Sequence, residues 1–258
     1  MATLDGHSEQ RPRGGSRLAG LALLLSLGAI IGALVAGYGS GEGWWPFGSA
    51  LGALRYLLFI GLAGALLGLV ARVRGKQGHM MSALALLLGL AFSAYLFSLY
   101  RTATSVPAIH DATTDLVDPP AFVTLTLRTD NLDSIPDQGR PGWKAVAPVE
   151  RWRAIHGEAY PDLKPIRLAL PPAEAIKRAE ALARERGWVI ASADPANGHL
   201  EATATTRFFR FKDDVVVRAR PATGGSIIDL RSVSRVGVSD LGINAKRLRE
   251  FGAALSKT

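Results

Sequence analysis

The chain has 258 residues, 30 Lys and Arg against 22 Asp and Glu, and no cysteine. The lack of cysteine excludes disulfides, thiol nucleophiles and Cys-ligated zinc. Residues 1–101 hold 8 basic and 3 acidic residues, and residues 102–258 hold 22 and 19. The C-terminal part is therefore only mildly basic, and we expect no nucleic-acid partner.

Three apolar segments occupy the N-terminal part, at residues 18–38, 51–71 and 80–100. A helix of this length rises to about 30 Å, the thickness of a hydrocarbon layer, so each segment is predicted to be a transmembrane helix. Buried helices of a soluble protein are the alternative, but those usually keep a polar face. A cleaved signal peptide would have a shorter apolar core than residues 18–38 and a cleavage site after it.

The placement of basic residues predicts the orientation of these helices. Residues 1–17 and the connection 72–79 each carry three basic residues, whereas the connection 39–50 carries none. Arg55 and Arg101 weaken this bias without reversing it. Since basic loops stay in the cytoplasm, we expect the N-terminus inside and residues 102–258 outside. For a bacterial cell this means an inner-membrane anchor and a periplasmic domain.

Small residues recur at four-residue spacing within the first two apolar segments. Gly28 and Gly32 form one G-x-x-x-G motif, and Gly64 and Gly68 form another. Such spacing lets helix backbones approach closely. The motifs fit either packing among the three helices of this chain or docking of another membrane protein. The segments hold no pair of acidic or His residues, so a transporter or proton path is not expected.

The remaining 157 residues read as one domain, 102–258, that begins with an irregular Thr-, Asp- and Pro-rich segment. The alternation in "FVTLTLRTD" predicts a short strand at 122–130, and 131–172 is predicted to be a long ordered loop with short helical pieces. Two helices are predicted, at about 171–187 and at Asp240–Leu255. Four further strands are predicted at Trp188–Ala193, His199–Phe209, Asp214–Arg220 and Ser226–Val236. This order predicts an α+β fold: a mainly antiparallel sheet of four to five strands with both helices on one face.

Alternation along the predicted strands makes one face of the sheet polar and the other apolar. The polar face carries Glu201, Thr203, Thr205 and Arg207 from the second strand, Asp214, Val216, Arg218 and Arg220 from the third, and Asp229, Arg231, Val233 and Arg235 from the fourth. One interpretation is a solvated face with cross-strand ion pairs. The other is a binding surface on which the arginines donate to a partner. The interleaved acids favour a protein partner over a bare phosphate.

The segment "RSVSRVGVSDLGINAKRLREF", from Arg231 to Phe251, joins the last strand to the last helix. Ser239 is predicted to be the N-cap and Asp240 to lie in the first turn. The apolar stripe of the helix is predicted to contain Leu241, Ala245, Leu248, Phe251 and Leu255. Asn244 lies within that stripe and needs hydrogen-bond partners, or it costs about 1–3 kcal/mol. We expect Asn244 to bind the loop around Gly237, and Arg247 to pair with Asp240 or with the Asp-rich segment before the sheet.

Four segments together resemble a known family, the domain-of-unknown-function family 1499: "IHDATTDLVDPPAF", "ALPPAEAIKRAEALARERGW", "GHLEATATTRFFRFKDDVVVRARP" and "IDLRSVSRVGVSDLGINAKRLREF". The combination of the Asp-Pro-Pro segment with the last of these is specific. The resemblance runs from about residue 107 to 255. The resemblance implies no activity, because none is established for the family. It implies a protein of the cell envelope, since members often look like envelope proteins and some have membrane helices before this domain. The positions that match the family pattern include the prolines and glycines Pro119, Pro120, Gly237 and Gly242. The candidate functional or structural network consists of Asp115, Asp118, Asp214, Arg218, Arg231, Ser232, Ser234, Arg235, Asp240, Asn244 and Arg247.

No catalytic motif accompanies these residues. The sequence has no G-x-S-x-G, P-loop, dinucleotide fingerprint or H-E-x-x-H, and no spacing links His110, His156 or His199 to a serine. His110, Asp111, Asp115 and Asp118 form an oxygen-rich stretch without calcium-loop spacing. No catalytic residue, cofactor or metal is therefore assigned.

Two hypotheses about function remain. The first is a non-enzymatic envelope protein, anchored by three helices, whose outer domain binds a partner protein or a lipid-linked component. The second is an envelope hydrolase or transferase that uses an Asp/Arg/Ser cluster around Ser232, Asp240 and Asn244. A buried network of the candidate residues beneath the Asp-Pro-Pro segment would make the motif architectural, and an open cleft lined by them would make it a site.

Overall fold

The computed structural model describes residues 14–75, 78–133 and 135–257. The chain divides into two compact units, residues 1–101 and 102–258. Most of the predicted cytoplasmic tail, residues 1–17, lies outside the described residues, as does Lys76 in the second connection.

The first unit consists of three long helices, α1 (Gly14–Gly41), α2 (Phe47–Arg74) and α3 (His79–Ser105). All three predicted apolar helices are therefore present, and each is longer than its apolar segment. Each is long and apolar enough to cross a membrane. Large apolar side chains such as Leu24 and Phe59 point outward on these helices and are mostly exposed. Outward apolar side chains are typical of helices that contact lipid.

Small residues let the three helices pack closely. A side chain at Gly64 would collide with Ser26, and one at Gly68 would meet the backbone of Ser82. The Ser26 hydroxyl donates to the carbonyl of Ala85 at 2.8 Å and so links α1 to α3. Around Gly28, by contrast, the described residues leave open space. A side chain at Gly32 would meet Leu57 on α2. The second G-x-x-x-G motif and Gly32 of the first therefore pack within this chain, and docking of another protein at Gly28 stays a prediction.

The second unit is built on a six-stranded antiparallel sheet. Its strands are β1 (Asp111–Thr113), β2 (Ile166–Leu168), β3 (Val189–Asp194), β4 (His199–Thr205), β5 (Lys212–Ala222) and β6 (Gly225–Ser234). Their order is β1-β6-β5-β4-β3, and β2 also pairs with β6. Strand β1 pairs with residues 231–233 and β2 with residues 226–228. The last strand is therefore the centre of the sheet. The predicted α+β class is confirmed, with six strands rather than four or five.

Three α-helices accompany the sheet, α4 (Pro148–Ala159), α5 (Pro172–Glu185) and α6 (Ile243–Leu255), together with a 3-10 helix at Trp143–Ala145. Helix α4 spans 12 residues in what was predicted to be mainly loop.

The strand predicted at residues 122–130 is wrong. All nine residues are described, and they form bends and turns. The amides of residues 123–125 hydrogen-bond to the carboxylate of Glu201 and not to a neighbouring strand.

The core lies between the apolar face of the sheet and helices α5 and α6. The sheet contributes Leu200, Val217, Ile228 and Leu230, α5 contributes Ala175, Ile176, Ala179 and Ala183, and α6 contributes Ala245, Leu248, Phe251 and Leu255. Trp188 stacks on Phe251 with ring centroids 4.8 Å apart. Leu241 does not join this core, contrary to prediction, because α6 begins at Ile243 and leaves Leu241 exposed in the preceding turn.

Candidate functional site

The polar face of the sheet is buried, because residues 115–131 cross it as an irregular segment that we call the strap. Glu201 and Asp229 on this face are fully buried, and Arg231 is 8% exposed. The expectation of a solvated face is therefore wrong at its centre. Charged groups without water must be paired and hydrogen-bonded, so the strap has to supply partners.

Glu201 holds the middle of the strap. Its carboxylate accepts hydrogen bonds from the amides of Val123, Thr124 and Leu125 at 2.5, 3.0 and 2.6 Å. The Nε2 atom of His199 lies 2.8 Å from the same carboxylate. Burial alone would raise the pKa of Glu201, but the hydrogen bonds from His199 and the three amides outweigh it and lower that pKa. Glu201 is thus ionised at neutral pH, where its negative charge strengthens these bonds.

Arg231 and Asp111 hold the strap at Pro120 and at its last residue, Asn131. The guanidinium forms a bidentate pair with Asp111, with distances of 3.0 Å from Nε and 2.6 Å from Nη2. Its remaining nitrogen, Nη1, donates to the carbonyl of Pro120 at 3.3 Å. Asn131 donates to Asp111 at 2.7 Å from the other end. Asp111 is thus held by an arginine and an amide. It is not an exposed oxygen ligand in the stretch that was considered as a cation site.

Arg218 forms the second junction between sheet and strap. It donates to Asp229 at 3.1 and 3.0 Å, and to the Asp118 carboxylate and carbonyl at 2.7 and 2.8 Å. The Asp115 carboxylate lies 3.3 Å away, and Arg220 bridges Asp229 and Asp115 at 2.8 and 3.4 Å. The network runs from the fully buried Asp229 to the exposed Asp118. The guanidinium of Arg218 is therefore already engaged by this chain.

A third ion pair closes the polar face at its other end. Arg235 makes a bidentate pair with Asp214, at 2.9 Å for both contacts, and Asp214 also accepts from the Thr203 hydroxyl at 2.8 Å. Arg235 is the most exposed of these arginines within the predicted network, at 40% of its side chain.

On the opposite face, Asn244 joins α6 to the sheet. Its amide nitrogen donates to the carbonyl of His110 and to the Ser234 hydroxyl, both at 2.9 Å, and its oxygen accepts from the Ser232 hydroxyl at 2.7 Å. Asn244 is fully buried. The prediction that it needs partners is correct, but those partners lie on β6 and before β1, and not in the loop around Gly237.

Arg247 completes this second network. It donates to the Ser232 hydroxyl at 2.9 Å and to the Asn244 oxygen at 2.5 Å. Its other nitrogen donates to Asp213 at 2.6 Å. The predicted pairing with Asp240 or with the Asp-rich segment is therefore wrong, because the register of β5 against β6 places Asp213 beside Ser234 under α6.

The N-cap residue of α6 is Gly242, so the predictions of Ser239 as N-cap and of Asp240 in the first turn are wrong, although the side chain of Asp240 binds amides at the start of the helix. Its carboxylate accepts from the amides of Gly242 and Asn244 at 2.8 and 2.7 Å, while the Ser239 hydroxyl accepts from Leu241 at 3.2 Å. Burial raises the pKa of Asp240 although these amide bonds oppose the rise. The carboxylate is thus used for capping, which satisfies two amides at the start of the helix.

The residues of both networks lie between positions 111 and 247, and a family model, Protein of unknown function (DUF1499), matches residues 111–255. The chain belongs to the DUF1499 family. A search of curated proteins finds no match. Within this DUF1499 domain, Arg231, Ser232, Ser234 and Arg235 alternate along β6, so the arginines face the strap and the serines face α6.

The structure distributes the eleven candidate residues over both faces of the sheet. Those on the strap face are Asp115, Asp118, Asp214, Arg218, Arg231 and Arg235, and those at α6 are Ser232, Ser234, Asp240, Asn244 and Arg247. Sequence reasoning missed Asp111, Asn131 and Asp213 as members. It placed Glu201 and Asp229 on the polar face without singling them out, although acids among arginines on a strand are a usable signal.

The α6 network favours architecture over hydrolysis or group transfer. Ser232 is fully buried, and its hydroxyl donates to Asn244 and accepts from Arg247. A serine nucleophile needs a base that takes its proton and a path for the substrate. The partners of Ser232 are an amide oxygen and a guanidinium, and neither is a base.

Removal of the Asn244 side chain tests the architectural role. We expect Asn244→Ala to lower the free energy of unfolding by about 3 kcal/mol, because it leaves buried polar groups of Ser232, Ser234 and Arg247 with fewer partners. Chemical unfolding of the full chain in detergent measures this change. Lys246→Ala, at the exposed neighbouring position of α6, is the matched control and should change stability by under about 0.5 kcal/mol. Equal stability of the two variants would contradict the assignment.

His156 on α4 holds strand β1, which directly precedes the strap. Its Nε2 atom accepts from the amide of Thr113 at 3.0 Å, and its ring packs edge-on against Trp152 and Tyr160. The indole of Trp152 donates to the carbonyl of Asp111 at 2.9 Å. Burial lowers the pKa of His156 to about 4. The neutral ring is therefore the form that holds β1 in place.

The depressed pKa of His156 predicts a pH dependence of stability. In the unfolded chain a histidine has a pKa of about 6.5, so between about pH 6.5 and 4 the unfolded state binds more protons than the folded state. Stability should fall as the pH falls through this window, by up to about 3 kcal/mol. His156→Gln keeps an acceptor for Thr113 but does not titrate. Tm measured against pH should therefore drop more steeply for the wild type, whereas parallel curves would show that His156 is not responsible.

Proposed function

We propose that this protein is a bacterial inner-membrane protein whose second unit faces the periplasm and binds a partner protein or a lipid-linked component without catalysing a reaction. The three apolar helices and the basic residues at 1–17 and 72–79 support this placement. The observation that carries the binding role is the strap, an irregular segment held rigid by buried charges.

The strap has the properties of a preorganised recognition element. Its amides at 123–125 are held by Glu201, and its carbonyls at Asp118 and Pro120 are held by Arg218 and Arg231. Long ordered segments without regular structure are usually functional, and a segment fixed in advance loses little entropy on binding.

The outer side of the strap remains free for a partner. Val117 is 89% exposed and Val123 79% exposed, and the Asp118 carboxylate reaches solvent beside Val117. The guanidinium groups beneath the strap are already paired, so they hold the strap and leave recognition to its outer surface. An aliphatic and acidic surface suits a protein partner or the head of a lipid-linked component better than a free anion.

Loss of the two valines tests this function. We expect Val117→Asp combined with Val123→Asp to abolish co-migration of the tagged full chain with its partner on native gels after extraction in mild detergent. Both side chains are solvent-exposed, so stability should change by no more than about 0.5 kcal/mol per substitution. Thr223→Asp, in the exposed turn between β5 and β6, is the control and should leave the complex intact. A wild-type protein that migrates alone, or a complex that survives the valine changes, would overturn the proposal.

The proposed orientation has its own test, which the lack of native cysteine makes simple. A single Thr223→Cys should react with a membrane-impermeant maleimide in cells whose inner membrane is intact. A single cysteine at Gln77, in the basic connection 72–79, should react only after that membrane is permeabilised. The opposite labelling pattern would show that the orientation is the reverse of the one proposed. It would not bear on the role of the strap, which the valine variants test separately.

A further inference from the structure

One end of the sheet gathers exposed aromatic, aliphatic and basic side chains that neither network uses. This end, which we call the aromatic end, comprises the β4–β5 turn at 206–211 with the adjoining Lys212, and the loop at 235–243. The register Thr205↔Lys212 and Asp213↔Ser234 places the turn and the loop side by side. The amide of Arg235 donates to the carbonyl of Lys212 at 3.0 Å and connects them.

The chain enters the second unit at the aromatic end. The amide of Asp240 donates to the carbonyl of Ile109 at 3.1 Å, and the Ser239 hydroxyl donates to the carbonyl of Pro107 at 3.4 Å. Helix α3 ends at Ser105, two residues before Pro107. Two residues of chain span at most about 7 Å, so the loop at 235–243 is tied to the segment that directly follows an apolar helix.

The loop at 235–243 displays aliphatic side chains from a fixed backbone. Val236, Val238, Leu241 and Ile243 are all exposed, with Val238 at 49%. Leu241 has a φ of +56°, a left-handed conformation that is uncommon for residues other than glycine. The Asp240 carboxylate fixes the backbone at one side, and Arg128 donates to the carbonyl of Gly237 at 2.6 Å at the other. The loop therefore holds apolar groups in water at a conformational cost.

The neighbouring turn combines aromatic rings with basic residues in the sequence "RFFRFK", from Arg207 to Lys212. Phe208 is exposed and meets Phe209 edge-on at 5.3 Å, and Phe209 stacks on Phe211 at 5.2 Å. Arg207 and Lys212 are exposed beside them. Aromatic rings among Lys and Arg are typical of surfaces that lie in the headgroup region of a bilayer.

The acids that the structure describes near this turn are engaged by other groups of the domain, and the exposed Asp130 pairs with Arg128. Asp213 is paired with Arg247 and Asp214 with Arg235. Asp240 is half-buried, and its carboxylate accepts from two backbone amides. The exposed charge that the turn presents through Arg207 and Lys212 is therefore positive, which complements anionic lipid headgroups.

We infer that the aromatic end is a lipid-binding surface for an anionic bilayer. Phe208, Val238 and Leu241 enter the boundary between headgroups and acyl chains, and Arg207 and Lys212 bind the phosphate groups of the lipids. This surface is separate from the strap valines and requires only that α3 lies in a membrane.

Depth-dependent quenching in the full chain tests the inference, since the chain has no native cysteine. Single variants Phe208→Cys and Val238→Cys carry an environment-sensitive fluorophore in nanodiscs of phosphatidylcholine, with or without phosphatidylglycerol. Thr223→Cys, in the turn at the opposite end of the strands, is the control. We expect nitroxides on the upper acyl chain to quench the labels at 208 and 238 and not the label at 223, with stronger quenching when phosphatidylglycerol is present.

The charge contribution is tested on the Val238→Cys background with Arg207→Gln and Lys212→Gln. The ratio of lipid-bound to free conformations should fall about fivefold for each basic residue removed in phosphatidylglycerol, and it should change little in phosphatidylcholine alone. Unchanged quenching in phosphatidylglycerol would overturn the headgroup assignment.

Two other outcomes would overturn the lipid assignment as a whole. Labels at 208 and 238 that aqueous iodide quenches as strongly as the label at 223 would show a surface open to water. Labels shielded from iodide but not reached by the lipid nitroxides would show that a second copy or another protein covers this end. Two labelled positions keep the test valid if one variant folds poorly, and the Tm of each variant is compared first with the wild type.

Discussion

The second unit depends on one constraint, which is that ionised carboxylates buried on a sheet must be given donors. Glu201 is fully buried, and the strap provides three successive amides for it. Asp111 and Asp229 are also buried on the sheet, and they pair with Arg231 and Arg218. Breaking a buried pair by removing one partner typically costs 3–5 kcal/mol, whereas replacing the whole pair by apolar groups is often neutral. The charges therefore specify where the strap lies more than they add stability.

The periodic parts of the chain could be predicted from the sequence, and the parts held by distant partners could not. Apolar length and 3.6-residue or two-residue alternation determine α1 to α3, α5 and strands β3 to β6. The same alternation predicted a strand wrongly in the strap, because "FVTLTLRTD" alternates like a strand although its amides bind Glu201. Arg247 likewise pairs with Asp213, 34 positions away, through a register that sequence spacing does not reveal. Asn244 was recognised because one amide among apolar residues requires partners. The sequence did not reveal which residues those partners are.

Strand β6 explains why this domain carries arginine and serine in alternation. Arg231 and Arg235 face the strap side, and Ser232 and Ser234 face α6. A slip of one residue in the pairing of β6 would turn the arginines into the apolar core and the serines toward the buried acids. Buried polar groups that are satisfied in only one register penalise every other register. The segment that first suggests an active site is thus better understood as the part that sets the register of the sheet.

The central position of β6 also affects how the domain is made. Strand β1 and the strap need Arg231, which lies 120 residues after Asp111 in the chain, and β2 needs residues 226–228. These early segments have no partner strand until the last fifth of the chain has been synthesised, and contacts of such long sequence separation form slowly. The sheet of the second unit therefore cannot be completed until late in its synthesis. Under the proposed periplasmic placement, such a delay would let the domain cross the membrane as an extended chain before it folds.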